Sequence, residues 1–334
     1  AAHALAIRVQ RGELVVAVFD LARRILAERS YDLDTTAPED VVSTIGVSFE
    51  ELLQETKIAR DSVLWCGVAH PGLISSSTGV LERSSNLGWV GVPVGDMITE
   101  SIGNIPVVVE NISNAAALAE KEYGLGRGHR HLVFINLSVG IGAGILANGE
   151  IYGGMQGYAG EVGHMTLLVD QGPICVCGQQ GCFEAICSSR TVLERARSVI
   201  PEDILRQNGL VKEKLTMAHL TSAPLASEPE VQSLVNEIGR HIGVVVANLI
   251  SMLNPEIVIL GGELALLGSR LLAVVEAEVE KRTLEEVCRQ VRVRISKMHD
   301  QAPLMGAYAL ALERIFALED WRDPAYATPR EGNQ

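Results

Sequence analysis

The 334-residue sequence has no apolar run of membrane-span length, and its start carries no signal-peptide pattern. Neither a helical membrane protein nor a secreted one is expected. Positive charge is also short: 28 Lys and Arg stand against 41 Asp and Glu, a formal net charge of −13. An acidic surface repels phosphate backbones, so this chain alone is a poor candidate for binding DNA or RNA. Cysteine is scarce, six residues in all, and three of them crowd into the eight positions Cys175 to Cys182. That distribution fits a reducing, cytoplasmic setting better than a disulfide framework. Cys66, Cys187 and Cys288 lie among apolar neighbours and read as core residues. What the chain does have is 47% hydrophobic residues and 32 glycines, a globular composition at a length that allows two lobes, each with its own core.

The most informative stretch is GYAGEVGHMTLLVDQGPICVCGQQGCFE, from Gly157 to Glu184. It holds Cys175, Cys177 and Cys182, with His164 eleven residues upstream of the first. Thiolate and imidazole are the ligands zinc prefers, and a closed structural site takes four of them in a tetrahedron. Gly178 and Gly181 sit where a chain wrapping an ion must turn sharply. Three buried cysteines beside a surface histidine would be the plain alternative. The clustering favours metal.

Along the chain, Leu5–Val9, Leu14–Asp20 and Ile25–Tyr31 read as a three-stranded meander. Pro38, with Glu39 and Asp40 in its first turn, opens a helix to about Ile58. Val63–Ala69 is a buried strand, Pro93 begins a helix, Val107–Glu110 is a strand, and Asn114 is expected to cap a helix from Ala115 to Tyr123. The plan then recurs. His131–Ser138 is a strand, followed by a glycine turn at Gly140, Gly142 and Gly144, the strand Ile145–Ala147, and a hairpin dipeptide at Asn148-Gly149. Helices at Ser189–Val199 and Val231–Leu253, the strand Glu256–Leu260, a helix to Arg282, the strand Val291–Ser296 and a last helix Met305–Ala317 complete it. The fold class is α/β, with two lobes and a cleft between them.

The run AGEVGH followed by CVCGQQGCFE resembles the signature of the ROK family, the repressors, open reading frames and sugar kinases. The resemblance extends over roughly Leu5 to Leu318. It implies an actin-like, hexokinase-like (ribonuclease H-like) fold with sugar in the interlobe cleft. The expected small lobe is 1–113 with 305–320, the larger lobe with the zinc loop and an oligomer interface is 114–304, and 321–334 is a loosely held tail. The resemblance implies a structural Zn²⁺ on His164, Cys175, Cys177 and Cys182. It further implies sugar contacts from Gly72, Asn86, Asn111, Glu161, His164 and Glu184. Carboxylates suit that task because each accepts two hydroxyl hydrogen bonds.

The chain departs from the family's kinases in three places. Their general base is the Asp of an Asn-Asp pair; here Asn111 is kept and Ile112 follows it. A branched hydrocarbon neither accepts a proton nor bonds a hydroxyl, and no catalytic residue is assigned. In place of an Asp-x-Gly phosphate turn stand Arg8 and Gln10, and in place of Gly-Thr-Gly stand Ser138-Val139-Gly140. Gly261-Gly262 is retained. The expectation is a pseudokinase: the sugar-effector-binding, oligomerising portion of a ROK-type transcriptional regulator, a homo-dimer or tetramer. It would reach DNA only through an N-terminal helix-turn-helix absent from this chain. An ATP-dependent ROK sugar kinase is the alternative, and a sugar-binding scaffold with neither activity is a third.

Overall fold

The structure is a computed structural model that describes residues 1–33, 37–75 and 78–317. The expected tail at 321–334 and part of the Ser75–Gly79 loop lie outside them. In chain order the first half contains β1 (His3–Gln10), β2 (Glu13–Asp20), β3 (Ile25–Asp32), α1 (Pro38–Thr56) and β4 (Val63–His70). It continues with β5 (Leu73–Ile74), β6 (Leu81–Ser84), β7 (Trp89–Val92), α2 (Val94–Ser101), β8 (Val107–Asn111) and α3 (Ile112–Tyr123). The second half has β9 (Leu132–Leu137), β10 (Ile141–Ala147), β11 (Glu150–Ile151), α4 (Phe183–Cys187) and α5 (Ser189–Val199). Three short helices follow, α6 (Glu202–Gln207), α7 (Met217–Thr221) and α8 (Ala223–Ala226), and then the long α9 (Pro229–Leu253). β12 (Ile257–Gly261), α10 (Gly268–Arg282), α11 (Glu285–Cys288), β13 (Arg292–Ile295) and α12 (Ala302–Ala317) end the described chain.

The two halves repeat one topology. One sheet runs β3-β2-β1-β4-β8 and the other β11-β10-β9-β12-β13. Each is an antiparallel meander with two parallel strands added beside its first strand. This is the two-lobed actin-like α/β fold, with the cleft where the turns of the two sheets converge.

Side-chain size decides what covers each face of the first sheet. Alternation along β1 sends Leu5, Ile7 and Val9 into one core with Val41, Ile45, Phe49 and Leu52 of α1. It sends Ala4 and Ala6 into another with Ala307, Tyr308 and Ala311 of α12. The small residues let α12 lie close. A Cβ added at Gly67 would sit 1.8 Å from the Ala307 carbonyl, and one at Gly306 would sit 1.8 Å from that of Ala115. The last described helix therefore seals the first sheet.

Three local expectations are corrected. Asn111, not Asn114, caps α3: its Oδ1 accepts the Ser113 N–H at 2.8 Å. The strand runs into the helix without a loop, and Asn114 is buried inside the helix. Gly142 and Gly144 belong to β10 and not to a turn. They admit α3, since a Cβ at Gly144 would lie 2.3 Å from the Ser113 carbonyl. The region after β4 also carries a small sheet, β5-β6-β7, that two- and four-residue strands had left unmarked in the sequence.

Candidate functional site

A cavity of about 430 Å³ opens between the halves. From the first half, Gly72 follows β4, Asn86 comes from the β6–β7 turn, and Asn111, Ile112 and Ser113 come from the β8–α3 junction. From the second half come the β9–β10 turn, Glu161 and His164 of the 157–164 strap, Cys177 and Gln179 of the cysteine loop, and Glu184. All six residues expected to contact sugar thus line one cavity.

The junction is tightly wired. Asn111 Nδ2 donates to the Gly72 carbonyl at 2.9 Å while its Oδ1 caps α3, so part of its amide is already used by the protein. Gly72 has φ +120°, and a Cβ there would lie 2.4 Å from the Arg83 carbonyl, so glycine is required for the backbone. Glu110 accepts from the Asn111 N–H at 2.7 Å and from Asn114 Nδ2 at 3.0 Å. These bonds hold it outside the cavity lining, which leaves it unable to stand in for the missing acid. Ile112 is 7% exposed and presents hydrocarbon at that wall.

Across the cleft the groups are polar. Glu184, in the first turn of α4, accepts the Ile141 N–H of the β9–β10 turn at 2.8 Å. Glu161 lies 3.9 Å from His164 Nε2. Burial raises both carboxyls above the usual range, opposed at Glu161 by His164 and at Glu184 by the Ile141 N–H. Asn86 reaches over from the first half, and a Cβ at Gly140 would lie 2.6 Å from its Nδ2. The strap is held against β10 by the Ala143 N–H to Gly160 carbonyl bond at 2.7 Å. A Cβ at Gly160 would meet the Ala143 carbonyl at 1.9 Å.

One donor atom from each of His164, Cys175, Cys177 and Cys182 lies within 4.8 Å of the others. The Cys177 and Cys182 sulfurs are 3.8 Å apart, and His164 Nδ1 is 3.7 Å from the Cys175 sulfur. A tetrahedron with metal–sulfur bonds of about 2.3 Å has edges of about 3.8 Å, so the cluster fits a four-coordinate ion. With Nδ1 in the cluster, His164 Nε2 is left toward Glu161 and the cavity. Burial pushes the Cys182 thiol up to about 12, and a cation held by the cluster would favour its thiolate. Cys66 and Cys187 are buried core residues, and Cys288 is half-buried.

The other end of the cavity is built differently. Arg8 is buried, pairs with Glu13 Oε2 at 2.6 Å and donates to the Asp300 carbonyl at 3.3 Å. Gln10 Nε2 also donates to Glu13, at 2.9 Å. Ser138 Oγ bonds Asn136 Oδ1 at 3.2 Å and accepts the Glu263 N–H at 3.3 Å. Glu263 lines this end, its carboxyl held above the usual range by burial with Glu13 and Asp300 nearby. Asn136 and Glu263 were not foreseen. The signal was present: Glu263 directly follows the Gly261-Gly262 pair, where Gly262, at φ +82°, brings the chain against Ser138 and Asn136.

A model of the ROK family matches residues 4–314. The chain belongs to the ROK family. A glucokinase of Halalkalibacterium halodurans is 31% identical over 282 residues, 84% of this chain and 85% of that one. A xylose repressor of Caldicellulosiruptor bescii is 26% identical over 290 residues, 85% of this chain and 72% of the repressor. Among solved structures, a ROK glucokinase from Streptomyces griseus with glucose and AMPPNP superposes with a TM-score of 0.83 at 26% identity, covering 93% of this chain and 100% of that one. A ROK transcriptional regulator homologous to the E. coli MLC protein gives 0.79 at 26% identity, covering 93% and 78%. Both functional branches of the ROK family are thus similar to this chain. No described helix is long and apolar enough to cross a membrane.

Proposed function

We propose that this ROK protein is a sugar-sensing regulator body without kinase activity. The observation that carries the reading is the hydrocarbon wall at Ile112: no described group at that wall can take a proton from a sugar hydroxyl. The Arg8–Glu13 pair adds to it, since the guanidinium is spent within the turn, where a kinase would keep an acid for magnesium. Glu161, His164, Glu184 and Asn86 bind the sugar, with Asn111 and Gly72 fixing the opposite wall. Zinc on His164, Cys175, Cys177 and Cys182 is the scaffold of the strap and performs no chemistry. A sugar that draws the halves together must bind one of two conformations better than the other, and that difference is what a paired DNA-reading module outside these residues would respond to. DNA contact belongs to such a module, in a cytoplasmic homo-oligomer.

The kinase reading keeps one specific support, the likeness to glucokinases at identities similar to those of the repressors. Thermal unfolding and a coupled phosphorylation assay against a sugar panel, with and without Mg-ATP, separate the two. A sugar that raises the melting temperature with nothing added by Mg-ATP and no turnover is expected. Sugar-dependent ADP formation at rates of about 1 s⁻¹ or more would restore the kinase. Ile112→Asp is expected to tighten hexose binding roughly tenfold by returning a charged acceptor. Unchanged or weaker affinity would count against the lost contact.

A further inference from the structure

We infer that the effector is larger than one sugar ring: a disaccharide or glycoside whose second ring occupies the end of the cleft bounded by Asn136, Ser138 and Glu263. This rests on the sugar-effector reading above and adds what the ligand must be.

The first observation is continuity. Glu161, His164 and Glu184 share a single cavity of about 430 Å³ with Gln10, Asn136 and Glu263. The twelve non-hydrogen atoms of a hexose, bonded together, take less room than twelve waters at roughly 30 Å³ each. That bound is about 360 Å³, so one ring seated against the strap leaves at least about 70 Å³ of the cavity to fill.

The second observation is chemistry. Among the described residues the Arg8 guanidinium is paired with Glu13, and the one cation lining the far end is Arg11, exposed on the β1–β2 turn. The far end also has a half-buried carboxylate, Glu263, with the carboxylates of Glu13 and Asp300 acting on it. Facing a triphosphate that arrangement repels, and facing a hydroxyl pair it accepts two hydrogen bonds. Asn136 supplies the matching donor. Its Oδ1 is engaged by Ser138, while its Nδ2 has no protein partner among the described residues. Acceptor and donor in one cavity lining, with Val139 also lining it, make a second hydroxyl-binding surface.

Titration calorimetry on the whole chain tests this with glucose and xylose against cellobiose, maltose and sucrose. One disaccharide is expected to bind at least tenfold tighter than its component monosaccharides. Glu263→Gln is expected to lower that disaccharide's affinity about tenfold and a monosaccharide's less than twofold. Val139→Phe, which fills the far end from an external turn, should abolish the disaccharide advantage and serves if Glu263→Gln does not fold. Disaccharides binding no tighter than single rings, or Glu263→Gln weakening both alike, overturns the inference and leaves the effector reading standing. A sugar phosphate or Mg-ATP binding more tightly than every neutral disaccharide assigns the far end to an anion and also overturns it. Absence of binding by any sugar overturns the effector reading together with this inference.

Discussion

The β1–β2 turn and the β9–β10 turn occupy the same place in two sheets of the same strand order, and both border the cleft. In the first, Arg8 and Gln10 both reach Glu13, so the turn satisfies its own polar groups. In the second, the Ile141 N–H is met by Glu184 from a different element, and Gly140 makes room for Asn86 from the other half. The first turn pairs its polar side chains among themselves, while the second shares its contacts with other elements. In a duplicated fold the two turns can thus differ independently, because each turn's partners come from separate stretches of chain.

The comparison breaks most visibly at the cysteine loop, which lies on the side of the second turn. Cys182→Ser is expected to cost roughly 4 kcal/mol or more and to release one ion per chain, read by urea unfolding and metal analysis. Unchanged stability and metal content would reduce the cluster to packing. Acid should act on the first half separately. His70 is fully buried beside Pro71, and burial lowers its pKa to about 4. The unfolded chain takes up that proton below about 6.5 and the folded one does not, so stability is full above pH 6.5 and declines toward pH 4, by up to about 3 kcal/mol. His70→Phe should remove that part of the slope in a pH series of unfolding curves. At the first turn, Arg8→Met is expected to cost about 1–2 kcal/mol, less than for a fully buried pair because Glu13 is a third exposed. Adding Glu13→Gln should recover most of the loss. The smallest effects sharpen the contrast. Gly12, at φ +86° with open space around it, is conformational, so Gly12→Ala should cost about 1 kcal/mol and leave sugar affinity alone. Gly140→Ala should cost less than that, since the flexible Asn86 amide can yield, yet weaken sugar binding by displacing it.

Much of this was legible in the sequence, and the reasons differ from element to element. The meanders and long helices announced themselves by period and punctuation: Pro38 opened α1, and Asn254-Pro255 closed α9. The cysteine loop was legible because its ligands are local, three within eight positions. The cap was misplaced by three residues because both Asn111 and Asn114 are good cap types, and only the strand's exit direction chooses between them. β5, β6 and β7 escaped because strands of two to four residues show no period. The Arg8–Glu13 pair depends on a hairpin register that sets Gln10 opposite Glu13. Asn136 and Glu263 are 127 residues apart in sequence, and only the pairing of β9 with β12 makes them neighbours.

The order of synthesis gives α12 a further meaning. β1 and β2 leave the ribosome nearly three hundred residues before the helix that covers Ala4, Ala6, Ala17 and Phe19 exists. Until Ala307 reaches Gly67, the nascent chain displays a bare apolar sheet face, an invitation to chaperones and to proteases alike. Covering of that face therefore waits for α12, and a chain cut short before Ala302 is expected to keep it exposed.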